Sequence, residues 1–104
     1  MDSIINCILD YIPKGKESAI SVNRLAGMVG VKNERTLRAY IAELRKNGAV
    51  ICSSAVGYYI PASREELREY IDRMEKQARG TFRGIRSARD ALRELEGQAV
   101  FNLE

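Results

Sequence analysis

The chain has 104 residues, 45% of them hydrophobic, with 17 basic against 14 acidic side chains, a net charge of +3 and a pI near 9.0. That suits one compact domain with at most an appended helix, excludes global disorder, and permits an anionic partner without demanding one. Histidine is absent and no nucleophile–base pair, metal-ligand cluster or phosphate-cradling glycine loop stands in its place, so an enzyme, a metal site and a bound cofactor are not expected.

Cys7 and Cys52 lie far apart, each among aliphatics, and read as reduced core cysteines of a cytoplasmic protein. No apolar run approaches a membrane span. The start, MDSIINCILDYIP, carries acids where a signal peptide would carry a basic segment.

In chain order, Ile4, Ile5, Ile8, Leu9 and Ile12 follow helical spacing, with Ser3 as a cap and Pro13 as the stop. KGKES (14–18) is a polar connector, and Ile20 is a single strand rung. Ser21 caps a second helix whose inner face is Val22, Leu25, Ala26 and Val29, and Gly30 ends it as a left-handed cap. Asn33 caps a third helix running to about Asn47, with Leu37, Tyr40, Ile41 and Leu44 at i, i+3, i+4, i+7 and Gly48 beyond its end. AVIC (49–52) and GYYI (57–60) are β-prone and joined by SSAVG, which predicts a hairpin closed off by Pro61. Of Tyr58 and Tyr59, alternation puts one in the core and the other outside.

SREE (63–66) matches a capping box and opens a charged helix to Glu96. In it Leu67, Met74, Thr81, Ala88 and Leu95 recur every seven residues and interlock with Ile71, Ala78, Ile85 and Leu92 as the seam of a coiled coil. Gly80 and Gly84 each cost a helix about 1 kcal/mol, so a break at 80–84 is the alternative to one continuous rod. RGTFRG (79–84) is too short to act as a glycine motif. Gly97 is expected to end the helix and leave an apolar tail.

The ordered set AISVNRLAGMVGVKNERTLRAYIAELRKNGAVICSSAVGYYI resembles a winged helix-turn-helix domain of the biotin-repressor type. It is carried by Ile20-Ser21, Leu25-Ala26, Gly30-Val31, Arg35-Thr36-Leu37, Ile41, Leu44-Arg45, Gly48 and Gly57 to Ile60. The likeness covers roughly residues 2–61, and the turn VKNERT is one residue longer than the usual pattern. It implies a mainly α protein with a small β-hairpin, a winged helix-turn-helix over 1–62. To this the seam adds a dimerisation helix over 63–96, and the apolar tail is 97–104. The long tail helix also resembles that of small phage or prophage-encoded proteins of this architecture.

At 100° per residue, Arg35, Ala39, Ala42 and Lys46 lie nearly opposite Leu37, Ile41 and Leu44, with Arg38 and Arg45 on one flank. Small residues let a helix settle into a groove, and arginines at its margins reach phosphates or a guanine edge. The resemblance implies double-stranded DNA as partner, read by the start of this helix through Lys32, Asn33, Arg35 and Arg38. Asn33 is removed from reading if it serves as the cap. Ser53 and Ser54 mark a wing tip with no Lys or Arg.

The seam implies a homodimer through Leu67, Ile71, Met74, Ala78, Ile85, Leu92 and Leu95, with Phe101 as an anchor in the tail. Acids at 65, 66, 69, 72 and 75 precede bases at 76, 79, 83, 86 and 89, a polarity that favours an antiparallel mate. Gln98, Phe101 and Leu103 loosely resemble a bacterial sliding-clamp binding peptide, although Ala99 stands where that motif prefers Leu. The expected role is a transcriptional regulator or a phage replication-associated DNA-binding protein. The rival is a winged-helix adaptor that contacts proteins and no DNA.

Overall fold

The computed structural model describes residues 2–103, with the side chains of 7–97. The protein is mainly helical with one small hairpin. The helices are α1 (Asp2–Tyr11), α2 (Val22–Val29), α3 (Glu34–Lys46) and α4 (Arg64–Leu103). A 3-10 turn, Lys16–Ser18, follows α1, and the strands β1 (Cys52–Ser53) and β2 (Tyr58–Tyr59) precede α4. The chain forms two compact units, Met1–Tyr70 and Ile71–Glu104, so the first unit extends beyond residue 62 and includes the start of α4.

The core of the first unit is built by helical spacing. Ile8 and Ile12 of α1, Leu25 and Ala26 of α2, and Leu37, Ile41 and Leu44 of α3 are buried together with Ile51 and Tyr58. Each buried leucine or isoleucine contributes about 1.5–3 kcal/mol on leaving water. Cys7 is exposed, against expectation, because Ile8 and Ile12 take the inner face of α1; Cys52 is buried. Ser3 falls inside α1, so it does not precede the helix as a cap; its side chain, like those of Ile4 and Ile5, lies outside the described set.

Capping sets both ends of α2. The Ser21 hydroxyl accepts from the Arg24 N–H at 3.3 Å and starts α2. Gly30 stops it at φ +77°, a left-handed conformation that costs glycine little. Residues 30–33 then join α2 to α3, with the Val31 N–H closing on the Ala26 carbonyl at 2.9 Å.

β2 is the middle of three extended segments. On one edge Cys52 pairs with Tyr59 and Ser53 with Tyr58. On the other, Ile20 bridges Tyr58 through two backbone hydrogen bonds of 2.8 and 2.9 Å, the single rung expected of it. The regular strands are shorter than the four-residue runs predicted. The expectation for the tyrosines is corrected: both are buried, Tyr58 at 7% and Tyr59 at 1% exposure.

Gly57, just before β2, is where the backbones meet most closely. A Cβ placed there would lie 1.9 Å from the Ile20 carbonyl oxygen. Only a residue without a side chain allows this approach.

At the start of α4 the Ser63 hydroxyl accepts from the Glu66 N–H at 3.2 Å, as a capping box requires. The reciprocal half differs. The Glu66 carboxylate accepts from the Ala62 N–H at 3.0 Å and from the Lys16 N–H at 3.2 Å. Lys16 also pairs with Glu69. The opening turns of α4 are thereby tied to the segment after α1.

α4 is continuous through Gly80 and Gly84 and passes Gly97 to reach Leu103. None of these glycines has a positive φ, so Gly97 does not act as the expected terminator. The side chains of Gln98, Ala99, Phe101 and Leu103, on which tail docking and a clamp-binding peptide rested, lie outside the described set.

Candidate nucleic-acid interface

α3 begins at Asn33, whose Oδ1 accepts from the Thr36 N–H at 2.8 Å. The side chain is thus engaged as the cap, and Asn33 leaves the set of base-reading candidates. Leu37, Ile41 and Leu44 anchor one face in the core. Arg35, Ala39, Ala42 and Lys46 are all exposed on the opposite face, as is Lys32 in the preceding turn. The face is flat at its centre, where the two alanines sit, and cationic at its ends.

The flank is different from its sequence reading. Arg38 is exposed but forms an ion pair with Glu34 one turn earlier, 3.4 Å away. Exposed pairs of this kind are worth less than about 1 kcal/mol, so Arg38 can exchange Glu34 for another anion. Arg45 turns inward. Its Nε donates to the Ile51 carbonyl at 2.9 Å. Its guanidinium carbon lies 5.8 Å from the Tyr58 ring centroid and 5.9 Å from that of Tyr70. Nη2 is buried without a hydrogen-bond partner; the faces of the two rings offset part of that loss. Arg45 therefore clamps α3 to the hairpin and to the start of α4, and its charge is not presented beside Arg35.

The hairpin tip is a tight turn. The Ser54 N–H donates to the Gly57 carbonyl at 2.9 Å, and the Ser54 hydroxyl oxygen accepts from the Val56 N–H at 3.2 Å. Ser53 belongs to β1, and both serines are half-buried, while Ala55 and Val56 are exposed. The tip presents backbone, small side chains and one valine.

Sequence reasoning missed a recess of about 410 Å³ lined by Tyr11, Ile20, Arg24, Met28 and Val56 among others. Its signal was weak: Tyr11, Met28 and Val56 are large apolar residues left exposed, and they come from three separate segments. Among the described residues no cluster of His, Cys, Asp or Glu is placed to hold a metal ion, and no helix is long and apolar enough to cross a membrane. No protein-family model matches this chain, and no curated protein or solved structure matches it.

In the second unit, Ile71, Phe82, Ile85, Leu92 and Leu95 are exposed along α4, at 40–69%. Arg79, Arg83 and Arg86 surround Phe82 at a shallow recess of about 270 Å³. Glu75 pairs with Arg79 at 4.0 Å and Asp90 with Arg93 at 3.4 Å.

Proposed function

We propose that this protein binds double-stranded DNA as a winged helix-turn-helix domain, with α3 lying in the major groove, and that α4 joins two copies. The observation that carries the reading is the exposed face of α3, where Arg35, Ala39, Ala42 and Lys46 stand opposite a buried Leu37–Ile41–Leu44 stripe. A face with no bulk at its centre and cations at its ends matches the shape and charge of a groove walled by phosphates. Lys32 and Arg38 extend it at the N-terminal end. The wing contributes backbone and hydroxyl contacts at most, through Ser53 and Ser54. Such a module suits a regulator of transcription or a protein that marks a replication site.

The test is a fluorescence anisotropy titration of labelled duplex DNA at several salt concentrations. Binding that weakens linearly on a log–log plot against salt supports phosphate neutralisation by this face. Binding that is absent at low salt removes the reading.

One observation favours a second reading, an adaptor that contacts protein. Arg45 is committed to the hairpin and the wing tip has no cation, so the cationic surface is smaller than the sequence suggested. Failure of the duplex titration combined with an intact fold would select that alternative.

A further inference from the structure

We infer that α4 pairs with α4 of a second copy in antiparallel orientation, about a twofold axis level with residue 83. The inference rests on the reading of α4 as the dimer helix and fixes its direction and register. It starts from the continuity of α4, which makes the heptad positions physical neighbours along one rod. Ile71, Ala78, Ile85 and Leu92 form one row of the seam, and Met74, Thr81, Ala88 and Leu95 the other. In an antiparallel pair each row faces the other row of its mate.

With the axis at 83, Ile71 meets the partner's Leu95, Met74 meets the partner's Leu92, Ala78 meets the partner's Ala88 and Thr81 meets the partner's Ile85. Ile71 with Leu95 and Met74 with Leu92 make large pairs toward the ends, Ala78 with Ala88 makes a small one, and Thr81 with Ile85 fills the seam beside the axis. Thr81 is suited to a dry seam because its hydroxyl already donates to the Gln77 carbonyl at 3.0 Å. Gly84 lies beside its own copy on one flank, where a side chain would hold the rods apart.

The other flank decides the direction. It carries Arg68, Glu75, Phe82, Arg89 and Glu96 at seven-residue steps. About this axis Arg68 faces the partner's Glu96, Glu75 faces the partner's Arg89, and Phe82 faces the partner's Phe82. Every charge on the flank meets its opposite. A slip of one heptad either way places Arg68 beside the partner's Arg89, or Glu75 beside the partner's Glu96, so wrong registers are penalised by like charges. In a parallel pair the flanking contacts become Tyr70 with Glu75, Gln77 with Phe82, Gly84 with Arg89 and Ala91 with Glu96, none of them an ion pair. The arrangement also accounts for Phe82, which is 69% exposed in the single chain and would stack on its own copy.

The experiment uses the full chain with Cys7→Ser, which removes the exposed thiol and leaves the buried Cys52. One preparation carries Ala78→Cys, another Ala88→Cys, and the two are mixed and oxidised in air. A disulfide forming across the mixture, faster than either variant forms one with itself, is the expected result. Self-linking of Ala78→Cys as the dominant product means a parallel pair and overturns the direction while leaving the dimer standing. Sedimentation of the unaltered chain as a monomer at tens of micromolar overturns the pairing altogether; neither result bears on duplex binding by α3. As an independent check on the flank, Glu75→Arg should weaken dimerisation on the order of tenfold, and adding Arg89→Glu to the same chain should restore it. No restoration by the double variant rejects the register.

Discussion

The Arg45 guanidinium carbon stands 5.8 Å from the centroid of the Tyr58 ring. This contact joins the last turn of α3 to the strand behind it, and with the Nε bond to the Ile51 carbonyl it makes Arg45 part of the fold. Arg45→Ala is expected to lower unfolding free energy by about 1–3 kcal/mol, the sum of a cation–π contact and a charged hydrogen bond. Lysine keeps the charge and loses the planar fork, so Arg45→Lys should recover less than half. Urea denaturation of the three proteins checks this. Wild-type stability in Arg45→Ala would show that the clamp is idle.

Gly57 and Gly80 should respond to alanine with opposite signs. At Gly57 the added Cβ would sit 1.9 Å from the Ile20 carbonyl oxygen, and the hairpin must move away from Ile20 to admit it. A loss of more than about 2 kcal/mol is expected, in the range of strained or overpacked backbone sites. At Gly80 an added Cβ meets nothing within 4 Å, and helix propensity alone predicts a gain of up to about 1 kcal/mol for α4. Thermal melts followed by circular dichroism read both. A stable Gly57→Ala protein would mean that the close approach to Ile20 is not required.

Arg35 is exposed on α3 away from the core, so Arg35→Ala should leave the melting temperature unchanged. It should reduce duplex affinity by about 1–3 kcal/mol if Arg35 touches a base, and by less if it touches phosphate. Ala42→Glu, on the same face, should reduce affinity further, because it puts bulk and negative charge against the groove. Both are measured in the anisotropy titration. Unchanged binding in both variants would rule out this face as the reader.

Glu66 holds the Ala62 and Lys16 amides with one carboxylate oxygen. Glu66→Ala leaves two backbone donors to find water, and a cost of about 1–3 kcal/mol follows. Hydrogen exchange at Lys16 and Ala62 should speed up in the variant while exchange in the middle of α3 changes less. Unaltered exchange at both amides would argue that the carboxylate does not hold them.

The elements and their caps were legible in the sequence because they depend on neighbours in the chain. Periodicity marked Leu25 and Ala26 on α2 and Leu37, Ile41 and Leu44 on α3. Ser21, Asn33 and Ser63 act within three residues of themselves, and Gly30 stops α2 by a local conformation. Tertiary structure decided whatever depended on what lies across the fold. Arg45 has the same chemistry as Arg35, yet a carbonyl from Ile51 and rings from Tyr58 and Tyr70 draw it inward, and no local pattern distinguishes the two. Strand alternation put one of Tyr58 and Tyr59 outside, but packing from elsewhere in the fold buries both. Gly97 carried the composition of a terminator, yet a glycine ends a helix only where the backbone turns left-handed, and at Gly97 it stays helical. Cys7 looked like a core residue by its aliphatic neighbours, and the rotation of α1 that buries Ile8 and Ile12 placed it outside.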